Sequence, residues 1–369
     1  MNPSTIHVAF MTGSLRIGGA ERMMINTANE TSRQARVSFL SLTGGTALVS
    51  ELNDNVKLYS FEKKNSLSAI PAIIDFIRKE KPAVLISTQI HVNLIAIMLK
   101  LFFRIKTKII LREATSPGSH FLVHKSLRWK LVNAAVKWMY PKADAIVAIC
   151  EAVKINLVES GYAPPSKISV IYNPVINERF EKAVTEEVEH PFFTDGVPVY
   201  LSVGRLAPAK NFTLLINAFS LVLKSKDARL LIIGEGGERE SLERLIDKHK
   251  LKEKISLPGE KVNPYPWMRK ADAYVLSSLY EGLPNALIEA MGCGLQLVSV
   301  DCPGGSREIL MDGKCGQLVK MDDAQALAAA MLYCIEHPVE RRFMEESVKR
   351  FESEIIGAQY LSLVTQLIR

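Results

Sequence analysis

The sequence predicts an α/β protein of two Rossmann-like domains. Short runs of β-branched and other apolar residues alternate with longer amphipathic segments along the whole chain, which favours parallel sheets covered by helices. With 369 residues the chain is long for one domain and comfortable for two. After Asn173 and Pro174 the alternation gives way to charged residues and prolines before it resumes, which indicates a linker between the domains.

The predicted elements of the first half follow this alternation in order. Apolar runs predict strands at Ile6–Met11, Val37–Leu42, Val56–Tyr59, Ala83–Ser87, Lys108–Leu111, Ala145–Ala148 and Ile168–Ile171. The amphipathic segments between them predict helices at Ala20–Thr31, Ile70–Glu80, Asn93–Phe103, Lys125–Met139 and Glu151–Ser160.

The second half repeats the pattern. Its predicted strands are Val199–Val203, Leu230–Ile233, Lys254–Leu257, Ala273–Leu276, Leu297–Val300 and Gly316–Val319, and its predicted helices are Phe212–Lys224, Glu238–His249, Asn285–Met291 and Ala324–His337. The stretch from Val339 to Arg369 is predicted to be helical throughout, with no strand after it. We therefore expect a first domain at 1–180, a linker at 181–197, a second domain at 198–345, and a C-terminal helix at 346–369 that crosses to the first domain.

Composition predicts a globular, cytoplasmic protein. Apolar residues make up 48% of the chain and charged residues 23%, which excludes a disordered chain. The run Ile6–Met11 is too short for a signal peptide, and polar residues interrupt the longest apolar stretch, Val84–Phe103. The cysteines have no CxxC or Cys/His spacing, so we expect reduced thiols and neither disulfides nor zinc; they are Cys150, Cys293, Cys302, Cys315 and Cys334.

Positive charge is concentrated in the first half. Residues 1–180 hold 23 Lys and Arg against 12 Asp and Glu, whereas the remainder holds 23 against 27. The excess is densest from Lys100 to Lys142, where ten basic residues accompany one acid, Glu113. This charge is compatible with a solvated surface, or with attraction to an anionic membrane or a phosphate-bearing acceptor. Nucleic acid is not expected as a partner, because no binding motif accompanies the charge.

The strongest chemical signal is the pair Glu281 and Glu289. The segment from Glu281 to Glu289 follows the predicted strand Ala273–Leu276 and contains the start of a helix. The N-terminus of that helix can bind an anion or a hydroxyl. Carboxylates accept hydrogen bonds from paired hydroxyls such as those of sugars and ribose. On spacing alone, the two acids could instead face solvent. The residues at the helix start are Leu283, Pro284, Asn285 and Ala286.

A second signal ends the first strand of the second half. Gly204 permits close approach of the backbone, and Arg205 and Lys210 could contact a diphosphate or could be ordinary surface residues. Loops after parallel strands lie at the edge where α/β sheets bind ligands. Two glycine-rich loops at the same edge, 234–237 and 302–307, are equally compatible with ligand contacts and with tight turns.

The first half has a glycine turn of its own. Gly18 and Gly19 lead into the first helix, but the turn is not GxGxxG and no acid ends the second strand, which argues against a dinucleotide cofactor. The helix start could still hold a phosphate or lie near the reacting centre. His91 and His120 also follow strands of this half, and each could be catalytic or structural.

In their order and spacing these motifs resemble the retaining glycosyltransferase family 4 (glycosyl transferases group 1), which has the GT-B fold of two Rossmann-like domains facing a cleft. The resemblance spans essentially the full chain. The motifs that carry it are Gly18 to Glu21, Ile171 to Pro174, Gly204 and Arg205 with Lys210, Gly234 to Gly236, Glu281 with Glu289, and Pro303 to Glu308.

The resemblance implies a role for each residue. Arg205 and Lys210 would bind the donor diphosphate and stabilise the leaving nucleotide, Glu281 would contact the donor sugar, and Glu289 would bind the ribose. Gly18 and Gly19 would lie near the donor phosphates and the acceptor. Transfer would be a front-face displacement, with no metal and no cofactor.

One motif departs from the family. Many members carry a His-Asp pair after the strand Lys108–Leu111, where this chain has Arg112 and Glu113. The family's histidine therefore has no clear counterpart, and His91 and His120 remain candidates.

The sequence thus predicts a hexosyltransferase that uses a nucleotide sugar, by default a UDP-sugar. Its expected acceptor is a lipid-linked or polysaccharide precursor, of lipopolysaccharide or capsule type, at the inner face of the cell membrane. Two alternatives stay open: a nucleotide-sugar epimerase of the same fold, and a catalytically inactive glycosyltransferase-like binding subunit.

Overall fold

A computed structural model describes residues 6–16, 18–115, 126–194 and 196–369 of the chain. These divide into two compact units, Met1–Pro174 with Phe351–Arg369, and Val175–Arg350. The first unit therefore ends at Pro174 and not at residue 180, and the segment expected as a linker belongs to the second unit.

Both units are α/β, as predicted. In the described part of the chain the strands are β1 (His7–Thr12), β2 (Arg36–Ser41), β3 (Val56–Ser60), β4 (Val84–Thr88), β5 (Lys108–Glu113), β6 (Ala145–Ala148), β7 (Ile168–Val170), β8 (Val199–Val203), β9 (Arg229–Ile233), β10 (Ile255–Ser256), β11 (Ala273–Leu276), β12 (Gln296–Val300) and β13 (Gln317–Val319).

The helices fall between these strands and after the last of them. Among the described residues they are α1 (Gly19–Thr31), α2 (Ile70–Glu80), α3 (Ile90–Phe103), α4 (Leu127–Met139), α5 (Glu151–Glu159), α6 (Glu178–Val184), α7 (Phe212–Val222), α8 (Arg239–Lys248), α9 (Tyr265–Lys270), α10 (Asn285–Gly292), α11 (Ser306–Ile309), α12 (Ala324–Glu336), α13 (Arg341–Val348) and α14 (Ser353–Ile368). None of the helices in these ranges is sufficiently long and apolar to cross a membrane.

The strands of each unit form one parallel sheet. In the described residues the first sheet has the order β3-β2-β1-β4-β5-β6-β7, and the second has the order β10-β9-β8-β11-β12-β13. Strand order reverses between β1 and β4 in the first sheet and between β8 and β11 in the second. Loops at the carboxyl ends of such strand pairs diverge and leave a crevice, which is where α/β sheets bind ligands.

The C-terminal segment is not one continuous helix. Helix α13 belongs to the second unit, and the chain then passes through a short 3₁₀ turn, Lys349–Phe351, before α14 begins. Phe351 is fully buried, and its ring lies 5.1 Å from that of Tyr172. Burial of Phe351 fixes the break, so only the last helix joins the first unit, where it buries Ile356, Tyr360 and Val364.

Helix α6 overlaps the start of the segment expected as a linker. The side chain of Asn177 caps it by accepting a hydrogen bond from the Phe180 N–H at 2.9 Å. Phe180 is buried, and its ring meets the edge of Tyr265 of α9 at 4.8 Å between centroids. Helix α6 is therefore packed within the second unit, although the charged sequence around it shows no helical periodicity.

Candidate active site

Lys210 and Glu281 meet at the crevice of the second sheet. Lys210 follows β8 and Glu281 follows β11, the two strands between which the order reverses. The Nζ of Lys210 lies 2.6 Å from Glu281 Oε1, and the Ser278 hydroxyl donates to the same oxygen at 2.6 Å. Both side chains are largely buried, with 26% of Lys210 and 14% of Glu281 exposed.

The two loops are held together by their backbones. Ser277 Oγ donates to the Lys210 carbonyl at 2.8 Å, and the Leu279 N–H donates to the Ala209 carbonyl at 2.8 Å. Asn211 then adopts a left-handed conformation, with φ of 48°, and α7 begins at the next residue. The ion pair therefore lies on a rigid junction between neighbouring loops.

The loop 234–236 supports Gly204 and Arg205. Leu206 N–H donates to the Glu235 carbonyl at 2.9 Å. Gly234 has φ of 149°, and a Cβ there would lie 1.9 Å from the Gly204 carbonyl oxygen, so glycine is required. In the described part of the chain the exposed Arg205 guanidinium makes no hydrogen bond or ion pair, which leaves it available to an anion.

The loop after β12 supports Glu281 in the same way. Glu281 N–H donates to the Pro303 carbonyl at 2.9 Å, and Gly305 N–H donates to the Gly282 carbonyl at 2.7 Å. The guanidinium of Arg307 pairs with Asp301 and with Asp312, so it is engaged by acids of its own segment. The two glycine-rich loops thus act as turns that position Arg205 and Glu281.

Helix α10 begins at Asn285, with Pro284 as the preceding cap residue. The helix buries its apolar face, and Glu289 stays partly exposed. The Tyr265 hydroxyl lies 3.3 Å from Glu289 Oε1 and donates to it. Tyr265 belongs to a short helix that sequence periodicity does not reveal, and no sequence signal indicated its contact with Glu289.

Tyr274 relates the two glutamates to each other. Its hydroxyl donates to the Val203 carbonyl at 3.3 Å across the β8–β11 junction. Burial raises the pKa of Tyr274 far above its ordinary value, and the nearby charges of Glu281 and Glu289 raise it further. Both carboxylates therefore lie close enough to raise the pKa of the same buried hydroxyl.

Cys293, which follows α10, and Cys302, which follows β12, have thiols whose pKa is raised. Burial, with the nearby Glu289 charge, raises the pKa of Cys293 to about 12, and burial raises that of Cys302 to about 11. Both thiols are therefore protonated at neutral pH. Across the described ranges, no group of three or more His, Cys, Asp or Glu side chains is placed to hold a metal ion.

The first unit has its own polar junction at the β1–β4 crevice. Gly13 N–H donates to Gln89 Oε1 at 3.1 Å, and Gln89 Nε2 donates to Glu21 Oε1 at 2.5 Å. Gly18 precedes α1, and a Cβ there would lie 2.2 Å from a Glu21 carboxylate oxygen. The lack of a side chain at Gly18 thus allows Glu21 to fold back over the start of α1, whose first residue is Gly19, and no sequence motif indicates this contact.

The candidate histidine His91 lies at the glycine turn of the first unit. A Cβ on Gly13 would lie 3.0 Å from His91 Nε2, so the ring faces the glycine turn. Burial of the ring lowers the pKa of His91, which favours the neutral form at neutral pH, although part of the side chain is exposed. His120 lies outside the described residues.

Arg112 and Glu113, the pair that replaces the family's His-Asp, are buried. The Arg112 guanidinium donates to Thr88 Oγ1 at 3.3 Å and to Asn173 Oδ1 at 2.5 Å. Glu113 Oε1 accepts hydrogen bonds from Asn93 at 2.6 Å and from the Tyr140 hydroxyl. Arg112 is 1% exposed and Glu113 is 2% exposed, so both side chains belong to the buried interior of the first unit.

Sequence comparisons match nearly the whole chain to known families. The model for "Glycosyl transferases group 1" matches residues 184–351, and that for "Glycosyltransferase Family 4" matches residues 17–179. A Campylobacter jejuni relative named N-acetylgalactosamine-N,N'-diacetylbacillosaminyl-diphospho-undecaprenol 4-alpha-N-acetylgalactosaminyltransferase is 31% identical over 260 residues, 70% of this chain and 68% of its own.

A second Campylobacter jejuni relative is matched over almost its entire length. It is named GalNAc-alpha-(1->4)-GalNAc-alpha-(1->3)-diNAcBac-PP-undecaprenol alpha-1,4-N-acetyl-D-galactosaminyltransferase, and it is 23% identical over 98% of both chains.

Solved structures share the fold at low identity. Anabaena HepE in complex with UDP superimposes with a TM-score of 0.79 at 17% identity, covering 98% of this chain and 100% of that one. The sucrose-phosphate synthase of Thermosynechococcus elongatus superimposes with a TM-score of 0.81 at 17% identity, covering 98% and 99%.

Proposed function

This chain belongs to the family 4 glycosyltransferases (glycosyl transferases group 1) with the GT-B fold, and from that premise we propose that it moves a hexose from a UDP-sugar, with retention, to a lipid-linked or polysaccharide-precursor acceptor. The observation that carries the proposal is the Lys210–Glu281 pair at the strand-order reversal of the second sheet. Arg205 lies in the same loop as Lys210, and its guanidinium has no hydrogen-bond or ion-pair partner among the described residues. A cationic and a carboxylate group side by side suit a ligand in which a diphosphate adjoins a sugar.

In this proposal the cations act on the leaving group. Arg205 and Lys210 bind the donor diphosphate and stabilise the charge that grows on it as the bond from sugar C1 to phosphate oxygen breaks. The acceptor oxygen forms its bond to C1 on the same face, and its proton passes to the departing diphosphate. Rigid loops favour such stabilisation, because the donors need no reorganisation during the reaction.

The two carboxylates bind the other two parts of the donor, the sugar and the ribose. Glu281 accepts hydrogen bonds from the sugar hydroxyls, and Glu289, held by Tyr265, accepts them from the ribose. The start of α10 would contact the same donor through the N-terminal dipole of the helix. The residues concerned are Leu283, Pro284, Asn285 and Ala286. Gly204, which has no side chain, would allow the donor to approach the backbone after β8 closely. Contacts of Gly18 and Gly19 with the donor phosphates or the acceptor remain predictions from the sequence.

The acceptor class is supported by the relatives. Two Campylobacter jejuni transferases bear names that specify acceptors linked through a diphosphate to undecaprenol. We propose an acceptor of the same chemical class, located at the inner face of the cell membrane, where the protein would bind peripherally. The donor needs no metal in this scheme, because Arg205 and Lys210 supply the positive charge.

The test is a donor screen followed by a transfer assay. A ligand at about 100 times its dissociation constant adds roughly 2.7 kcal/mol to stability, so thermal-shift measurements with nucleotides and nucleotide sugars should identify the donor. Glu289→Ala should weaken binding of nucleotide and nucleotide sugar alike, whereas Glu281→Ala should lower transfer with a much smaller effect on free nucleotide.

The outcomes separate the alternatives. Transfer of labelled sugar to a lipid-diphosphate acceptor supports the proposal. An isomerised sugar formed from donor alone would indicate an epimerase, and nucleotide binding without turnover would indicate an inactive subunit. If Glu281→Ala abolishes nucleotide binding while Glu289→Ala does not affect it, the two roles are reversed.

A further inference from the structure

Helix α4 of the first unit carries an exposed apolar stripe. Leu127, Leu131 and Trp138 are 73%, 65% and 57% exposed, and Ala134 between them is also exposed. At 100° per residue these four positions lie within about 60° of one another on the helix surface. The stripe therefore runs the length of the helix on one face.

The helix packs against the rest of the first unit by a different face. Val136 and Met139, on the other side, are buried, with exposures of 0% and 8%. An amphipathic helix of a globular protein normally turns its apolar face inward. Here α4 has an inward apolar face and a second apolar face toward solvent, and exposed apolar patches of this kind mark interaction sites.

The charges around the stripe are positive. Lys130 and Lys137 are exposed beside it on one side, and Arg128 is exposed on the other. The single acid between Lys100 and Lys142 in the sequence is Glu113, which is buried.

A neighbouring helix end adds to the same region. Lys100 of α3 donates to the Lys142 carbonyl at 3.2 Å, which brings the end of α3 to the end of α4. Phe102 and Phe103, the last residues of α3, are 66% and 46% exposed. Two adjacent helix ends thus present large apolar side chains among basic residues.

We infer that α4 is a membrane-binding helix that lies in the plane of an anionic bilayer, with Leu127, Leu131 and Trp138 at the boundary between headgroups and acyl chains. Lys130 and Lys137 contact the phosphates of the headgroups. An apolar stripe bordered by lysines is the pattern of helices that bind at this interface, and tryptophan is favoured there. Positive charge on both borders favours an anionic lipid surface over an apolar protein partner.

The inference deepens the proposed function, since a lipid-linked acceptor would lie in the same bilayer, yet it can be tested without any transfer. The experiment is flotation of the full chain with phosphatidylcholine vesicles, with and without phosphatidylglycerol, at low and high salt. We expect binding to the anionic vesicles only, and weaker binding as salt rises.

Variants separate the apolar and the charged contributions. The pair Leu131→Ser with Trp138→Ser should lower partitioning to anionic vesicles about tenfold or more. The pair Lys130→Gln with Lys137→Gln should lower it roughly fivefold for each charge removed. Ile155→Ser is the matched control, because Ile155 is 52% exposed on α5 of the same unit and should not affect binding.

Tryptophan fluorescence reports the contact directly. With Trp129 and Trp267 replaced by Phe, the emission of Trp138 should shift to the blue on addition of anionic vesicles and stay unchanged with neutral ones. Melting curves check that every variant is folded. Absence of vesicle binding, equal binding to neutral vesicles, or binding insensitive to the Leu131 and Trp138 pair would overturn the inference.

Three further outcomes separate this inference from a dimer interface and from the proposed function. If the wild-type protein is a dimer in solution that Leu131→Ser converts to a monomer, the stripe binds a second copy and the membrane inference is wrong. Transfer to a water-soluble acceptor without vesicle binding would refute this inference alone. Vesicle binding without any transfer would refute the proposed function alone.

Discussion

The ammonium of Lys210 lies 2.6 Å from Glu281 Oε1, so the cation proposed for the donor diphosphate is paired with the carboxylate proposed for the donor sugar. An ammonium carries three N–H donors, and only one is needed for this pair, so the others can serve phosphate oxygens. Ser278 shares the same carboxylate oxygen. The two proposed roles are therefore coupled through one contact, and substitution of either residue changes the electrostatics of the other.

The first prediction follows from that coupling. Glu281→Gln keeps an oxygen that can accept from Ser278 but removes the charge that offsets Lys210. Affinity for free nucleoside diphosphate should rise about two- to fivefold, the equivalent of ~0.5–1 kcal/mol for a partly exposed pair. Transfer should fall, because the sugar loses its carboxylate. Calorimetric titration beside steady-state kinetics measures both, and a large loss of nucleotide affinity would contradict the coupling.

The second prediction concerns Arg205. Because its guanidinium is exposed and unpaired among the described residues, Arg205→Ala should leave folding intact and lower kcat ~10²–10³-fold, as expected for loss of one preorganised donor. Ground-state affinity for the donor should change far less. Arg307→Ala is the control, since that guanidinium already pairs with Asp301 and Asp312. Near-normal turnover of Arg205→Ala would remove Arg205 from the mechanism.

The sequence alone was sufficient to predict the fold and to place residues that are distant in the chain at the same edge of a sheet. Parallel strands end at one edge of a sheet, so Lys210 and Glu281, which follow adjacent strands, could be expected near each other. The Tyr265–Glu289 contact could not be expected, because Tyr265 lies in a short helix without periodicity and its neighbours are set by tertiary packing.

The solvent-facing stripe of α4 was also beyond sequence reasoning. The positions of Leu127, Leu131 and Trp138 show helical periodicity, but periodicity alone places such residues in the core. The buried face is set instead by Val136 and Met139, through packing that local sequence does not encode. The break before α14 likewise depends on burial of Phe351 against Tyr172, a contact between residues remote in sequence.

The third prediction tests the loops that support the site. A Cβ on Gly234 would lie 1.9 Å from the Gly204 carbonyl oxygen, so Gly234→Ala should displace the backbone next to Arg205. The variant should lose about 1–3 kcal/mol of stability, as overpacked sites do, and nucleotide affinity should fall with it. Gly237→Ala is the matched control, because a Cβ there meets nothing within 4 Å. Denaturant unfolding of both variants measures the difference, and equal stability would show that the loop relaxes freely.

The last prediction is a pH dependence of stability from Glu113. Burial raises the pKa of this carboxyl to about 7, although hydrogen bonds from Tyr140 and Asn93 oppose the shift. The unfolded chain releases the proton near its ordinary pKa of 4.5, whereas the folded protein holds it to higher pH. This contribution to stability is therefore complete below the unfolded pKa and is lost as pH rises through about 7. The free energy of unfolding falls by about 3 kcal/mol over that range.

Glu113→Gln isolates that contribution. Both hydrogen bonds go to Oε1, so a glutamine oxygen can accept them without carrying a charge. We expect the variant to match the wild type in acid, to exceed its stability above about pH 7, and to show a flatter profile between these limits. Urea unfolding across this range is the measurement, with the exposed Glu159→Gln on α5 as control. A wild-type profile that Glu113→Gln leaves unchanged would mean that the pKa of Glu113 is the same in the folded and the unfolded chain, with hydrogen bonds from Tyr140 and Asn93 offsetting the effect of burial.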